Sequence, residues 1–325
     1  MTDKITKMLT ADPPGIAQAG RLLATGELVA IPTETVYGLA ADATNGEAVA
    51  AIFKAKGRPA DNPLIVHIAD ISAWGGLVTH IPAAAKALAD AFWPGPLTII
   101  LPAAPHVPRE VTAGLSTVAV RLPSHPVARA VIEAAGTPLA APSANRSGAP
   151  SPTTAARVMQ DMNGRIAAIL DGGGCDVGVE STVVDLSGDT PRLLRPGGIT
   201  PAQLEAGARV ASPGMKYKHY APKAKVVLVK ADGEKFAAFV NAQKEANPFA
   251  LCFEGEETAL TVPYLTYGKR EDAAAQARLV FDALRQLDDK GATLVYAACP
   301  SPEGVGLAVY NRLLRAAAFE VMTLD

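Results

Sequence analysis

Two short clusters of this sequence place cations and small polar side chains beside backbone that can turn tightly. In FKAKGRPADNPLIVHI, residues 53–68, Lys56 and Arg58 flank Gly57 near the end of a helical stretch. A tight backbone with one Lys and one Arg suits the wrapping of a polyphosphate: Arg gives bidentate contacts and Lys a point charge. Cations at a helix C-terminus also serve the macrodipole. In PLAAPSANRSGAPSPTT, residues 138–154, Ser143, Asn145, Ser147 and Ser151 cluster with Gly148 and prolines. Short donors on a rigid loop hold phosphate oxygens, and they also cap the helix that follows.

Other candidates stand at strand ends. In IPTETVYGLAAD, Thr33, Thr35 and Tyr37 alternate, so in an extended segment they share one side, facing either a small polar ligand or an ordinary turn. His67 lies inside the apolar strand LIVHIA, where a satisfied core histidine and a site residue are both open. Arg121 ends the buried-looking strand TVAVRL and requires an anionic partner, either an Asp or Glu of the chain or a ligand carboxylate. DGGGCDVGVESTVVDL carries glycines that permit close backbone approach or simply make a turn; Ser181 and Thr182 then open a strand. Arg195, in LLRPGG, is one more anion binder at a strand end. No GxxxxGK[ST] loop occurs, and no Ser/His/Asp triad assembles.

Positioning these residues takes a mixed set of elements. Helices are expected over 14–26, 46–56, 82–93, 126–136 and 153–162, with strands at 27–31, 64–69, 97–101, 117–122, 138–145, 167–170, 181–186 and 191–195. From Ala224 strands at 225–230, 248–253, 262–268 and 293–298 alternate with helices at 232–246, 271–291 and 305–318, a pattern of small parallel sheets. With 325 residues two domains are favoured, and an apolar content of 49% supports sizeable cores. The net charge of −2 gives no global case for nucleic acid or membrane binding. Three scattered cysteines fit a reducing compartment and no metal spacing, and no signal peptide or membrane span is expected. From the residues alone this is a cytosolic α/β protein with cations and hydroxyls at strand ends, compatible with an anionic substrate such as a nucleotide.

Taken in order, PTETVYGL, the Lys56/Arg58 pair, FWPGPLT, VAVRLP, APSAN with its Ser143/Asn145 pair, and ESTVVD resemble the threonylcarbamoyl-AMP synthases, the YrdC-like family. The ordered set is specific, although each block alone is not. KYKHYAP and the unit after it resemble the long form, which has a linker and an extra C-terminal domain. The resemblance implies a YrdC-like twisted mixed sheet flanked by helices over 1–205, a linker over 206–223 that folds over the site, and a small Rossmann-like domain over 224–325.

It also implies a reaction: L-threonine, bicarbonate and ATP, with Mg²⁺, give L-threonylcarbamoyl-AMP and pyrophosphate. The product passes to a tRNA threonylcarbamoyl transferase that modifies adenosine beside the anticodon. Lys56, Arg58, Ser143 and Asn145 become the catalytic set. Arg58, Asn62, Thr117, Ser143, Ser151, Arg195 and Tyr220 match nucleotide contacts, and Thr35, His67, Arg121, Ala141 and Ser181 match the threonine site. The carbamate is already anionic, so His67 is not required as a general base. A carbamoyltransferase on the same fold and an RNA-binding module are the alternatives; a weak tRNA contact also enters here. The first 200 residues hold 15 Lys and Arg against 17 Asp and Glu, which gives RNA binding no support from bulk charge.

Overall fold

The computed structural model describes residues 5–207, 221–243 and 246–324. They fall into two compact units. The linker stretch 206–223, apart from the backbone of 206–207 and residues 221–223, lies outside the described residues, and so does Tyr220.

The first unit starts with β1 (Lys7–Thr10) and α1 (Pro13–Ala24), which is capped by Asp12 accepting the Gly15 amide at 2.8 Å. β2 (Val29–Ile31), β3 (Gly38–Asp42), α2 (Gly46–Lys56) and β4 (Ile65–His67) follow. A 3₁₀ turn at Ile71–Gly76 precedes α3 (Ala83–Phe92), β5 (Leu97–Pro102), α4 (Arg109–Thr112), β6 (Thr117–Arg121) and α5 (Pro126–Ala135). The unit closes with β7 (Leu139–Ala140), α6 (Ala155–Met162), β8 (Ala168–Asp171), β9 (Thr182–Asp185), β10 (Arg192–Arg195) and α7 (Pro201–Gly207). Among the described residues ten strands form one mixed sheet, ordered β1-β8-β2-β3-β7-β4-β6-β5-β9-β10.

Several elements depart from the sequence expectation. The run 33–37 is not extended: it curls between two antiparallel strands, β2 and β3, with Ile31 opposite Gly38. The strand expected over 138–145 pairs regularly only at Leu139–Ala140, with an isolated bridge from Gly38 to Ser143. Pro142 has no N–H to continue a ladder. β1 is an edge strand with a mostly exposed pattern, which is why it gave no apolar signal.

The two faces of this sheet differ. One is filled by a large cluster that includes Val66, Val118, Val120, Leu97, Ile99 and Ala140 with Ile52, Phe53 and Leu88. The other carries a smaller cluster, in which Val29, Ile31, Ala40, Leu139 and Ala141 pack with Ala19, Leu23, Val131 and Ile132 of α1 and α5. That smaller cluster contains no residue of β4, β5, β6 or β9. The far half of this face is therefore left for something other than hydrocarbon.

The second unit holds β11 (Lys225–Lys230), α8 (Gly233–Ala242), β12 (Phe249–Cys252), β13 (Tyr264–Thr266), α9 (Ala273–Asp289), β14 (Leu294–Ala298), α10 (Gly306–Ala316) and β15 (Val321–Thr323). Among the described residues its five strands run in the order β13-β12-β14-β11-β15, and all their pairings are parallel. Val226 to Val229 are a continuous buried run, as a strand covered on both faces requires. The short runs 148–151 and 177–179 group with this unit. Among the described residues no helix is long and apolar enough to cross a membrane.

The β9–β10 hairpin that presents Arg195 is pinned by Asp185. Its carboxylate accepts the Ser187 amide at 2.9 Å, the Ser187 hydroxyl at 2.6 Å and Arg192 Nη2 at 2.5 Å. Burial pushes the Asp185 pKa up, but Ser187 and Arg192 outweigh it and hold it below the usual value of 3.8. The stabilisation is therefore fully present above about pH 4 and lost as pH falls through the lower folded value. Asp185→Asn should cost about 1–2 kcal/mol at pH 7, and the gap in melting temperature from wild type should narrow below about pH 4.

Candidate active site

Strand alternation and register build the site. Thr117, Ala119 and Arg121 share one face of β6. Ile65 pairs with Ala119, and His67 with both Arg121 and Leu139. Leu139 belongs to the cluster under α1 and α5, so this is the incompletely filled face. Ile100 pairs with Ala119, which puts Thr98 on the same side, and Thr98 Oγ1 lies 2.8 Å from Ser181 Oγ. His67, Arg121, Thr98 and Ser181 therefore replace a hydrophobic layer, each at most 3% exposed.

Arg121 is held by three neighbours. The WPGP turn, with a cis Trp93–Pro94 bond and Trp93 Nε1 donating to Leu97 O at 2.7 Å, presents the Gly95 carbonyl to Arg121 Nε at 3.3 Å. Nη1 donates to Thr35 Oγ1 at 3.0 Å. Nη2 stands 2.7 Å from Glu34 Oε1. Thr35 reaches this position because the 33–37 turn coils on itself: Thr33 Oγ1 donates to Val36 O at 2.6 Å and lies 2.9 Å from Thr35 Oγ1. Tyr37 does not share the side of the two threonines; its hydroxyl donates to Gly173 O at 2.7 Å.

Two titrating groups have environments that limit their chemistry. Burial, with the Arg121 charge beside it, pulls His67 down to about 3, so the ring is neutral at pH 7. Its Nδ1 is 3.1 Å from Ile65 O, and a carbonyl only accepts, so the proton sits there. Burial pushes the Cys175 thiol up to about 12, which removes it as a nucleophile.

The second constellation surrounds Lys56. Gly57 takes the left-handed conformation (φ 63°) that ends α2, so Lys56 turns inward to 3% exposure while Arg58 remains half-buried. Lys56 Nζ donates to the carbonyls of Ser143 and of Asn145, the latter at 2.6 Å, and Ser147 N returns a bond to Lys56 O at 2.9 Å. Ser143 Oγ donates to Asn145 Oδ1 at 2.5 Å. The two pairs expected to act together are thus physically tied across 87 residues of chain. The ammonium here organises the 143–147 loop; it does not stand open to solvent. Arg58 Nη2 donates to Asn62 O at 3.1 Å, which joins two further expected nucleotide residues at the surface.

Arg195 is bonded to the sheet-face group. Its Nε and Nη2 donate to Ser181 O and Oγ at 2.9 and 3.0 Å, so a residue assigned to the nucleotide touches one assigned to threonine. Thr117 lies on the same face as Arg121, half-buried at the opposite end of β6. Ala141 is buried, and its amide donates to Ile65 O. Ser151 is fully buried in the run 148–151, which groups with the second unit. Glu34 and Thr98 escaped the sequence reading. Glu34 sits between two of the threonines that were noticed, but its charge had no visible partner until Arg121 was placed.

For Mg²⁺ the described side chains do not form a cage. Among the described residues no group of three or more His, Cys, Asp or Glu could hold a metal ion. The hydroxyl, amide and cationic groups around Ser143, Asn145 and Arg58 fit anionic oxygens, not a divalent cation.

Comparison with known proteins agrees with this architecture. Residues 21–197 match the family described as "Telomere recombination", the Sua5, YciO and YrdC proteins, and residues 183–318 match the threonylcarbamoyl-AMP synthase C-terminal domain. The threonylcarbamoyl-AMP synthase of Bacillus subtilis is 46% identical, over 98% of this chain and 97% of its own. That of Pyrococcus abyssi is 44% identical, over 94% of each chain. The crystal structure of P. abyssi Sua5 complexed with L-threonine superposes with a TM-score of 0.91 at 40% identity, covering 99% of this chain and 100% of that one. A YrdC-type domain followed by a parallel-sheet Sua5 domain defines an enzyme of the nucleotidyltransferase class. The chain belongs to the threonylcarbamoyl-AMP synthase family, in its two-domain form.

The Lys56 clamp can be tested by an apolar replacement of similar length. Lys56→Met leaves two carbonyls without their charged donor. It should lower stability by about 3 kcal/mol in denaturant unfolding and abolish turnover. Unchanged stability would show that the clamp is not formed in solution.

Proposed function

We propose that this chain condenses L-threonine, bicarbonate and ATP into L-threonylcarbamoyl-AMP and pyrophosphate, for transfer to adenosine beside the tRNA anticodon by a separate transferase. The observation that carries the reading is the buried Arg121, held by Gly95 and Thr35 on a sheet face where His67, Thr98 and Ser181 replace hydrocarbon. A guanidinium there has the chemistry to take an amino-acid carboxylate. The L-threonine bound by the P. abyssi relative supports the same ligand.

The steps follow from charge. The threonine amine attacks the carbon of bicarbonate, giving a carbamate and water. A carbamate oxygen then attacks the α-phosphorus, and pyrophosphate leaves with the electrons of the broken P–O bond. Both partners are anions, so repulsion must be screened and the reacting atoms aligned. Arg58, at the surface beside Asn62, takes phosphate oxygens. Arg195, the other cation of this reading's nucleotide site, is bonded to Ser181 of its threonine site. Ser143 and Asn145 offer short polar groups on a loop kept rigid by Lys56. The neutral His67 shapes the threonine pocket and moves no proton in this scheme. Mg²⁺ enters only as a companion of ATP, and no step is routed through it. The reading places the enzyme in the cytoplasm with the translation machinery; a direct tRNA contact is no part of it.

Pyrophosphate release with each substrate withheld in turn tests the reaction. Release should require ATP, L-threonine and bicarbonate together. ATP-independent RNA binding with no turnover would contradict it. Arg58→Ala should cut turnover by roughly 10²-fold or more with an unchanged melting temperature. Near-normal activity would remove Arg58 from the phosphate site.

A further inference from the structure

Arg121 is read above as the receptor for the substrate carboxylate, yet its guanidinium already faces a carboxylate of the chain. Nε and Nη1 are engaged by Gly95 O and Thr35 Oγ1, and those two bonds fix the guanidinium plane. Nη2 remains. It lies 2.7 Å from Glu34 Oε1 but out of line for a hydrogen bond, and neither Nη2 nor either Glu34 oxygen has an aligned partner among the described residues. Both side chains are more than nine-tenths buried. A buried ion pair offsets its desolvation when the geometry is good and the remaining hydrogen-bonding capacity is filled. This pair has the charge balance without well-aligned hydrogen bonds. That combination suits a place-holder better than a structural bridge.

We propose that Glu34 is a built-in stand-in for the substrate carboxylate and thereby a specificity-determining residue. It keeps Arg121 neutralised while the site is empty, and it competes for Nη2 when a carboxylate arrives. The inference rests on the reading of Arg121 as the threonine receptor. Its consequence is selectivity. A tethered competitor acts at high effective concentration, so a simple carboxylate cannot displace it. A ligand displaces Glu34 only by adding contacts of its own, and the hydroxyls of Ser181 and Thr98 stand on the same sheet face to receive a hydroxyl-bearing side chain. Discrimination then comes from a built-in repulsive element as well as from attraction. Glu34 is held ionised for this role: burial alone would raise its pKa, but the Arg121 charge and the polar contacts around the carboxylate together outweigh burial and keep it below the usual carboxylate range.

The test is L-threonine and acetate binding to the full-length protein by calorimetry, for wild type, Glu34→Gln, Glu34→Asp and Arg121→Ala. Removing the competing charge should tighten L-threonine binding about tenfold in Glu34→Gln, with acetate and L-alanine now bound where wild type excludes them. In turnover the change should fall on the L-threonine KM and not on the ATP KM. Glu34→Asp, a shorter competitor, should lie between. Equal or weaker L-threonine binding in Glu34→Gln, with Arg121→Ala binding none, overturns the stand-in role and leaves the receptor reading intact. Wild-type binding by Arg121→Ala overturns the receptor reading itself. If Glu34→Gln does not fold alone, millimolar L-threonine or acetate should restore a cooperative melt, because either returns a negative charge to Arg121. Failure of both to do so contradicts the proposal.

Discussion

A guanidinium inside a β-sheet face constrains everything around it. Arg121 occupies a position that alternation would otherwise give to an aliphatic side chain, and its charge cannot be left unpaired in that environment. The surroundings answer in kind. The cis Trp93–Pro94 turn supplies a carbonyl, the coiled 33–37 turn supplies a hydroxyl, and Glu34 supplies the opposite charge. Two of the three come from the 33–37 turn and the third from the turn at Gly95. The apolar cluster under α1 and α5 stops before β4, and that is what leaves room for them.

Lys56 is the second fixed charge, and it works differently. Its ammonium is spent on backbone carbonyls of the 143–147 loop, so it acts through geometry more than through long-range field. Gly57 makes this possible by turning the chain so that Lys56 goes in while Arg58 stays near the surface. One helix end thereby turns one cation into the scaffold and leaves the other near the surface. Arg195, bonded twice to Ser181, belongs with the sheet-face group around Arg121.

Local patterns carried much of this into the sequence. Residues 46–56 read as a helix ended by glycine, and α2 spans Gly46–Lys56. The strand ending in Arg121 and the helix from Pro126 were equally plain. The parallel sheet of the second unit was visible in its alternation of apolar runs and amphipathic helices. Pairing was not legible, because register is set by contacts far apart in the chain. The antiparallel return at β3 was hidden by its glycine and alanines after a threonine-rich turn, and β15 is short and exposed. The same limit applied to the site. Arg121 announced that it needed an anion, but whether that anion was Glu34 depended on how 33–37 coiled. The ordered family motifs located the candidate residues; they did not say that Lys56 would be turned inward or that Arg195 would reach Ser181.

The most direct test of the account is a crystal structure of this protein with L-threonine bound. The substrate carboxylate should lie within hydrogen-bond distance of the Arg121 guanidinium, on the sheet face that also carries His67 and Ser181, with Glu34 Oε1 moved away from Nη2. L-threonine bound elsewhere, with the Arg121–Glu34 contact still at its present distance, would contradict it.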